Sequence, residues 1–120
     1  MAVCQHLRWR PMPGLMWFSV PNGGRRMPTE AQILKATGLR AGVADLILLR
    51  GGVAYAAEIK TLKGRATAAQ RAFMVEWNLA GGIGEILFGL DATLAFLELH
   101  GLLRPNRGSR QIEPVALLSA

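Results

Sequence analysis

"GVADLILLRGGVAYAAEIK" (residues 42–60) is the stretch on which the fold turns. "ADLILLR" (44–50) is a nearly continuous apolar run, "GG" (51–52) supplies a tight turn, and "VAYAAEIK" (53–60) is a second apolar run. Two such runs joined by a two-residue glycine turn predict an antiparallel β-hairpin. The whole chain of 120 residues has only eight acidic side chains, yet Asp45 and Glu58 interrupt these runs, where burying a charge is costly. Pairing outward from Gly51–Gly52 sets Asp45 opposite Glu58, with Cβ atoms about 5 Å apart.

Side chains alternate along a strand, so Glu58 and Lys60 share a face about 6.6 Å apart, while Ile59 faces the core. Two carboxylates that close repel unless a cation lies between them or one keeps a proton. Lys60 supplies one positive charge, and the remaining deficit suits a hard divalent cation with oxygen ligands. Asp45, Glu58, the Ile59 backbone carbonyl and the Lys60 ammonium together could hold Mg²⁺ or Mn²⁺, activate a bound water and stabilise a pentavalent phosphate. The plain alternative is an ion pair, Glu58–Lys60 or Asp45–Lys60, tying strand ends together. Asp45 across a Gly-Gly hairpin, on a basic protein, favours the metal.

Composition supports a polyanionic partner. The net charge is +6, from 14 basic residues of which eleven are arginine. Arginine's planar fork grips phosphate with two hydrogen bonds, so a small arginine-rich domain points to nucleic acid. The length fits a single domain that buries roughly two-thirds of its unfolded surface. Cys4 is the lone cysteine, which excludes an internal disulfide and fits a reducing, cytoplasmic compartment. The sequence contains neither an apolar run of about 18 residues nor a secretory signal pattern.

Residues 1–16 read as a short helical turn and a loop, and "MWFSV" (16–20) as a strand ending in the "PNGG" turn. Thr29 caps a helix closed by Gly38. After the hairpin, "TLKGRA" forms a basic loop, Thr67 caps a helix running to Leu79–Ala80, and "IGEILFG" (83–89) is a strand. Asp91 caps "ATLAFLELHGLLR" as the last helix, and residues 105–120 form a loosely ordered tail. The order β-α-β-β-α-β-α predicts an α/β fold on a mixed sheet, with a parallel crossover from 53–60 to 83–89.

The pattern "VPNGG…GLRAGVADLILL…AYAAEIKTLKGRATAAQ" resembles the VRR-NUC domain of the PD-(D/E)xK nucleases, from about Trp17 to Arg104. The resemblance implies a restriction-endonuclease-like mixed sheet flanked by helices, with the nuclease domain at 1–104, and a Mg²⁺- or Mn²⁺-dependent phosphodiesterase. Asp45 and Glu58 would hold the metal, Lys60 would position water or stabilise charge, and Gln70 would line the site. Two departures stand out. Ala44 replaces the family's usual proline before the aspartate. The family's further metal-site glutamate on a first helix has no counterpart, because no acidic residue precedes Glu30. Gln5 lies in the corresponding region but is a weaker ligand, and Glu30 would serve only if its helix points into the site; otherwise it is a helix-start surface residue.

Asn22, Arg25, Arg26, Lys63 and Arg65 fall in loops at the strand ends and are expected to contact DNA phosphates, with Thr61 and Thr67 as further donors. His6 and His100 lack metal-ligand spacing, Cys4 lacks a catalytic partner, "GGIG" (81–84) reads as a turn, and Phe73 and Trp77 read as core. Leu94, Ala95, Phe96, Leu97, Leu99, Leu102 and Leu103 surround the last helix, which predicts a homodimer with the tail's "VALL" as a further contact. The expected activity is DNA endonuclease cleavage, on branched or junction DNA by family likeness. The rivals are a catalytically impaired DNA-binding module and a scaffold with a structural ion pair.

Overall fold

The protein is described by a computed structural model covering residues 1–21 and 38–106. Its elements are α1 (Ala2–Trp9), β1 (Met16–Ser19), β2 (Leu46–Arg50), β3 (Val53–Lys60), α2 (Ala68–Leu79), β4 (Ile83–Phe88) and α3 (Leu90–Leu99). The strands form one sheet in the order β1-β2-β3-β4, with β1–β2 and β2–β3 antiparallel and β3–β4 parallel. The hairpin, the crossover and the mixed sheet therefore match the sequence expectation. Gly51 and Gly52 have φ of 61° and 81°, the left-handed pair that a twisted two-residue hairpin turn demands. Leu46 pairs with Ala57, so Asp45 and Glu58 follow as the next opposed positions.

The alternation of β2 and β3 assigns each face its own core. Leu46, Leu48, Tyr55 and Ala57 meet α1 and α3 through Val3, Cys4, Leu7, Phe96 and Leu97, with Leu102 and Leu103 completing the layer. The opposite face carries a smaller cluster in which Ala44 and Ala56 meet Phe73 and Met74 of α2. Phe73 and Trp77 stack with centroids 5.6 Å apart, as core residues should. Ile59 packs against the larger core, and Glu58 and Lys60 belong to the α2 side.

Two expectations are corrected. The start of the chain is more than a helical turn: α1 has eight residues, and Val3, Cys4 and Leu7 bury their side chains on one face. The last helix is shorter than expected. It starts after Gly89 and stops at Leu99, and Gly101 reverses the chain with φ of 72°. Asp91 is thus not its cap but lies in its first turn, where a carboxylate still favours the helix dipole. Leu102 and Leu103 leave the helix and fill the core, the Leu102 amide donating to the Leu97 carbonyl at 2.8 Å. Much of the apolar surface that suggested a partner is accordingly covered by this chain, although Leu99 is 80% exposed.

Arg10 joins the two ends of the described body. Its Nη1 donates to Glu98 Oε2 at 2.6 Å and to the Arg104 carbonyl, and its Nε donates to His6 Nδ1 at 3.2 Å. Cys4 is buried in the core, and His100 packs its ring between Tyr55 and Phe96. No helix among the described residues is long and apolar enough to cross a membrane. The expected helix at 29–38 and the tail from 107 onward lie outside the described residues, apart from Gly38.

Candidate active site

The site is built where β2 begins and β3 runs on. β2 starts at Leu46 while β3 continues to Lys60, so the backbone ladder between them stops at the Leu46–Ala57 pair. Asp45 extends the pairing with its side chain: Oδ2 accepts a hydrogen bond from the Ile59 backbone N–H at 2.9 Å. Its own carbonyl accepts from the Val20 N–H at 2.8 Å, tying the same residue to the chain leaving β1. The Asp45 carboxylate is thereby fixed at the end of the strand pair, half-buried.

Glu58 is the buried partner, only 3% exposed. Its Oε2 accepts from Gln70 Nε2 at 3.0 Å and lies 3.5 Å from the Lys60 ammonium. Its Oε1 is buried with no hydrogen-bond partner among the described residues. Burial pushes the Glu58 carboxyl above its usual range, the Asp45 carboxylate pushes it the same way, and Lys60 pulls against both. A buried oxygen left unpaired is costly, so the arrangement is one that a cation would complete.

Gln70 reaches Glu58 because a capping box sets its side chain. Thr67 Oγ1 accepts from the Gln70 backbone N–H at 3.1 Å, and Gln70 Oε1 accepts from the Thr67 backbone N–H at 2.9 Å. The same amide thus caps α2 with its oxygen and holds Glu58 with its nitrogen. Gly42 brings the loop before Asp45 against this helix start. A Cβ there would lie 2.8 Å from the Gln70 backbone nitrogen and closer still to the Ala69 carbonyl group.

Asp45, Glu58, Ile59, Lys60 and Gln70 are therefore brought together as expected. Lys63, Arg65 and Thr61 are exposed on the 61–66 loop beside them. Asn22, Arg25, Arg26 and Glu30 lie outside the described residues. Gln5 is exposed on α1, which packs on the face of the sheet opposite Glu58. Among the described residues no group of three or more His, Cys, Asp or Glu gathers, so the acidic set is the Asp45–Glu58 pair. Two oxygen-bearing side chains and a backbone carbonyl suit a hard cation that keeps much of its own water.

The sequence reading did not single out Arg71, Ile86 or Phe88. Parallel register sets Ile86 beside Glu58 and Phe88 beside Lys60, and both line a groove with Arg65 and Arg71. The signal was available in the alternation of "IGEILF", which gives every second residue to the α2 side.

No family model and no curated protein matches the chain. Among solved structures, one described as a "VRR_NUC domain protein" superposes with a TM-score of 0.56 at 24% identity, over 68% of this chain. The chain spans 64% of the length of that structure. The likeness establishes the fold: a four-stranded mixed sheet flanked by helices, the restriction-endonuclease-like α/β arrangement that the sequence resemblance implies.

Proposed function

We propose that the chain is a metal-dependent DNA endonuclease in which Asp45, Glu58 and the Ile59 carbonyl hold Mg²⁺ or Mn²⁺. The observation that carries this reading is the buried Oε1 of Glu58, without a partner among the described residues, opposite a second carboxylate. When bound, the cation would polarise a phosphate oxygen and acidify its water. The chain's own groups do the rest. Gln70 holds Glu58 Oε2, so that Oε1 is the oxygen left for a ligand. The Ile59 N–H holds one Asp45 oxygen and fixes that carboxylate. Lys60 places a positive charge beside the pair, where negative charge grows on a phosphate under attack. Lys63 and Arg65, with Asn22, Arg25 and Arg26, supply phosphate contacts, consistent with the net charge of +6.

Cutting both strands calls for two such sites, so the reading includes a homodimer acting on branched or junction DNA. Met16, Phe18 and Leu49, neighbours on the α2 side of β1 and β2, give an exposed apolar surface for such pairing. Light scattering at micromolar concentration tests it: a clean monomer would remove the dimer.

The decisive experiment is cleavage of plasmid and four-way-junction DNA with Mn²⁺, Mg²⁺ or EDTA, using wild type and Lys60→Ala. Metal-dependent cutting that the variant loses supports the nuclease, and the rate ratio between substrates reports selectivity. The lack of a third acidic side chain near the pair among the described residues favours one rival, a DNA-binding module without catalysis. Unchanged DNA binding with no cutting in any metal would establish that rival.

A further inference from the structure

The groove beside the carboxylates has features that phosphate contact alone does not require. It measures about 710 Å³ and is lined by Gly64, Arg65, Ala66, Arg71, Ile86 and Phe88. That volume falls within the range of small-molecule sites. It sits against the ends of the parallel strands β3 and β4, on the α2 side of the sheet. Ile86 is registered with Glu58 and Phe88 with Lys60, so its apolar floor starts one strand spacing, about 4.8 Å, from the reactive column.

Its two parts differ in chemistry. Phe88 is 39% exposed at the end of an edge strand, and Ile86 is half-buried beside it. Arg65 and Arg71 are exposed cations around this floor, and among the described residues no acidic one lines the groove. Arg71 spends one N–H on the Ala66 carbonyl at 2.7 Å, which fixes its guanidinium over the 64–66 loop and leaves further donors. An aromatic floor with guanidinium walls matches a nucleotide, whose base is flat and apolar on its faces and whose phosphate is anionic.

We propose that this groove binds an unpaired nucleobase of the substrate strand, stacked on Phe88, with the neighbouring phosphate on Arg65 and Arg71. Resting on the DNA partner proposed above, it goes beyond the metal site by naming the form of DNA. Inside a duplex each base face is covered by its stacked neighbours, so away from a duplex end Phe88 can be covered only by a base that has left the stack. The groove therefore favours single-stranded or frayed DNA next to the cleaved phosphate.

The test is binding in EDTA, where no cutting occurs. Fluorescence anisotropy compares a labelled oligo-dT strand with a labelled duplex of the same length, for wild type, Phe88→Leu and Phe88→Ala. Phe88→Leu keeps an apolar side chain and removes the ring. It is expected to weaken oligo-dT binding about tenfold and duplex binding less than about twofold. Unchanged oligo-dT binding, or equal losses on both DNAs, overturns the proposal. So does a loss confined to Phe88→Ala with a lowered melting temperature, which would assign Phe88 to packing. Wild type that stacks oligo-dT through Phe88 but cuts nothing would remove the nuclease and keep the groove. Wild type that cuts DNA while Phe88→Leu binds normally would do the reverse.

Discussion

Glu58 and Gln70 are joined by a hydrogen bond of 3.0 Å that occupies one carboxylate oxygen and leaves the other buried without a partner among the described residues. Gln70 Oε1 simultaneously caps α2, so helix stability and carboxylate orientation depend on one amide. Thr67→Ala removes the hydroxyl half of the cap and is expected to cost about 1 kcal/mol of stability. Gln70→Ala is expected to add a loss of about 10–100-fold in metal affinity or cleavage, as for other groups that orient ligands. Thermal melts and metal titrations of both variants separate the two effects. Equal loss of metal affinity in both would show that Gln70 acts only through the helix.

Glu58 should give metal-free stability a characteristic pH dependence. Its folded carboxyl titrates above the usual range, chiefly through burial and then through Asp45. Between the unfolded and folded values the native state keeps a proton that the unfolded chain has released. Stability therefore falls as pH rises through that window and stays lower above it. Glu58→Gln mimics the protonated form, so in EDTA near neutral pH it is expected to raise the melting temperature and flatten the acid-side slope. A lower melting temperature for the variant at neutral pH would refute this balance of charges.

Metal should reverse that penalty. A cation bound by the folded protein alone stabilises it by about 2.7 kcal/mol at one hundred times its dissociation constant. Differential scanning fluorimetry with Mn²⁺ is expected to show a concentration-dependent rise for wild type and none for Asp45→Asn or Glu58→Gln. An equal rise in all three would place the cation elsewhere.

Gly42 is predicted to be intolerant of any side chain. Its φ is +83°, and an added Cβ would meet the rigid backbone of Ala69 and Gln70. Positive φ and overpacking together are worth roughly 2–4 kcal/mol. Gly42→Ala should lower the denaturation midpoint accordingly. Gly14→Ala offers a control, with φ of +82° but no atom within 4 Å of the added carbon. Similar losses at both positions would show that φ alone, and not contact with α2, is responsible.

The hairpin, its register and the Asp45–Glu58–Lys60 patch were legible because they depend on local rules: a glycine turn and side-chain alternation. Thr67 was legible as a cap for the same reason. What the sequence concealed depended on contacts distant in the chain. Nothing near Gly42 reveals that it touches Ala69, and nothing in "GLLR" shows that Leu102 and Leu103 turn back into the core against Leu97. The α1 helix was underread because its mixed basic and apolar composition hides one apolar face, Val3, Cys4 and Leu7. The groove was missed because each lining residue looks ordinary until the parallel register places β4 beside Glu58 and Lys60.

β3 is a ribbon with a different duty on each side. Tyr55 and Ala57 are sealed into the core under α1 and α3, while Glu58 and Lys60 lie on the α2 side at the candidate site. A slip of β3 against β2 by one residue would exchange these duties, driving charge into the core and turning the apolar side chains toward solvent. The pairing that the turn sets, Arg50 with Val53, thus frames the site, and a slipped register has no graded outcome: the two faces are either both in place or both lost.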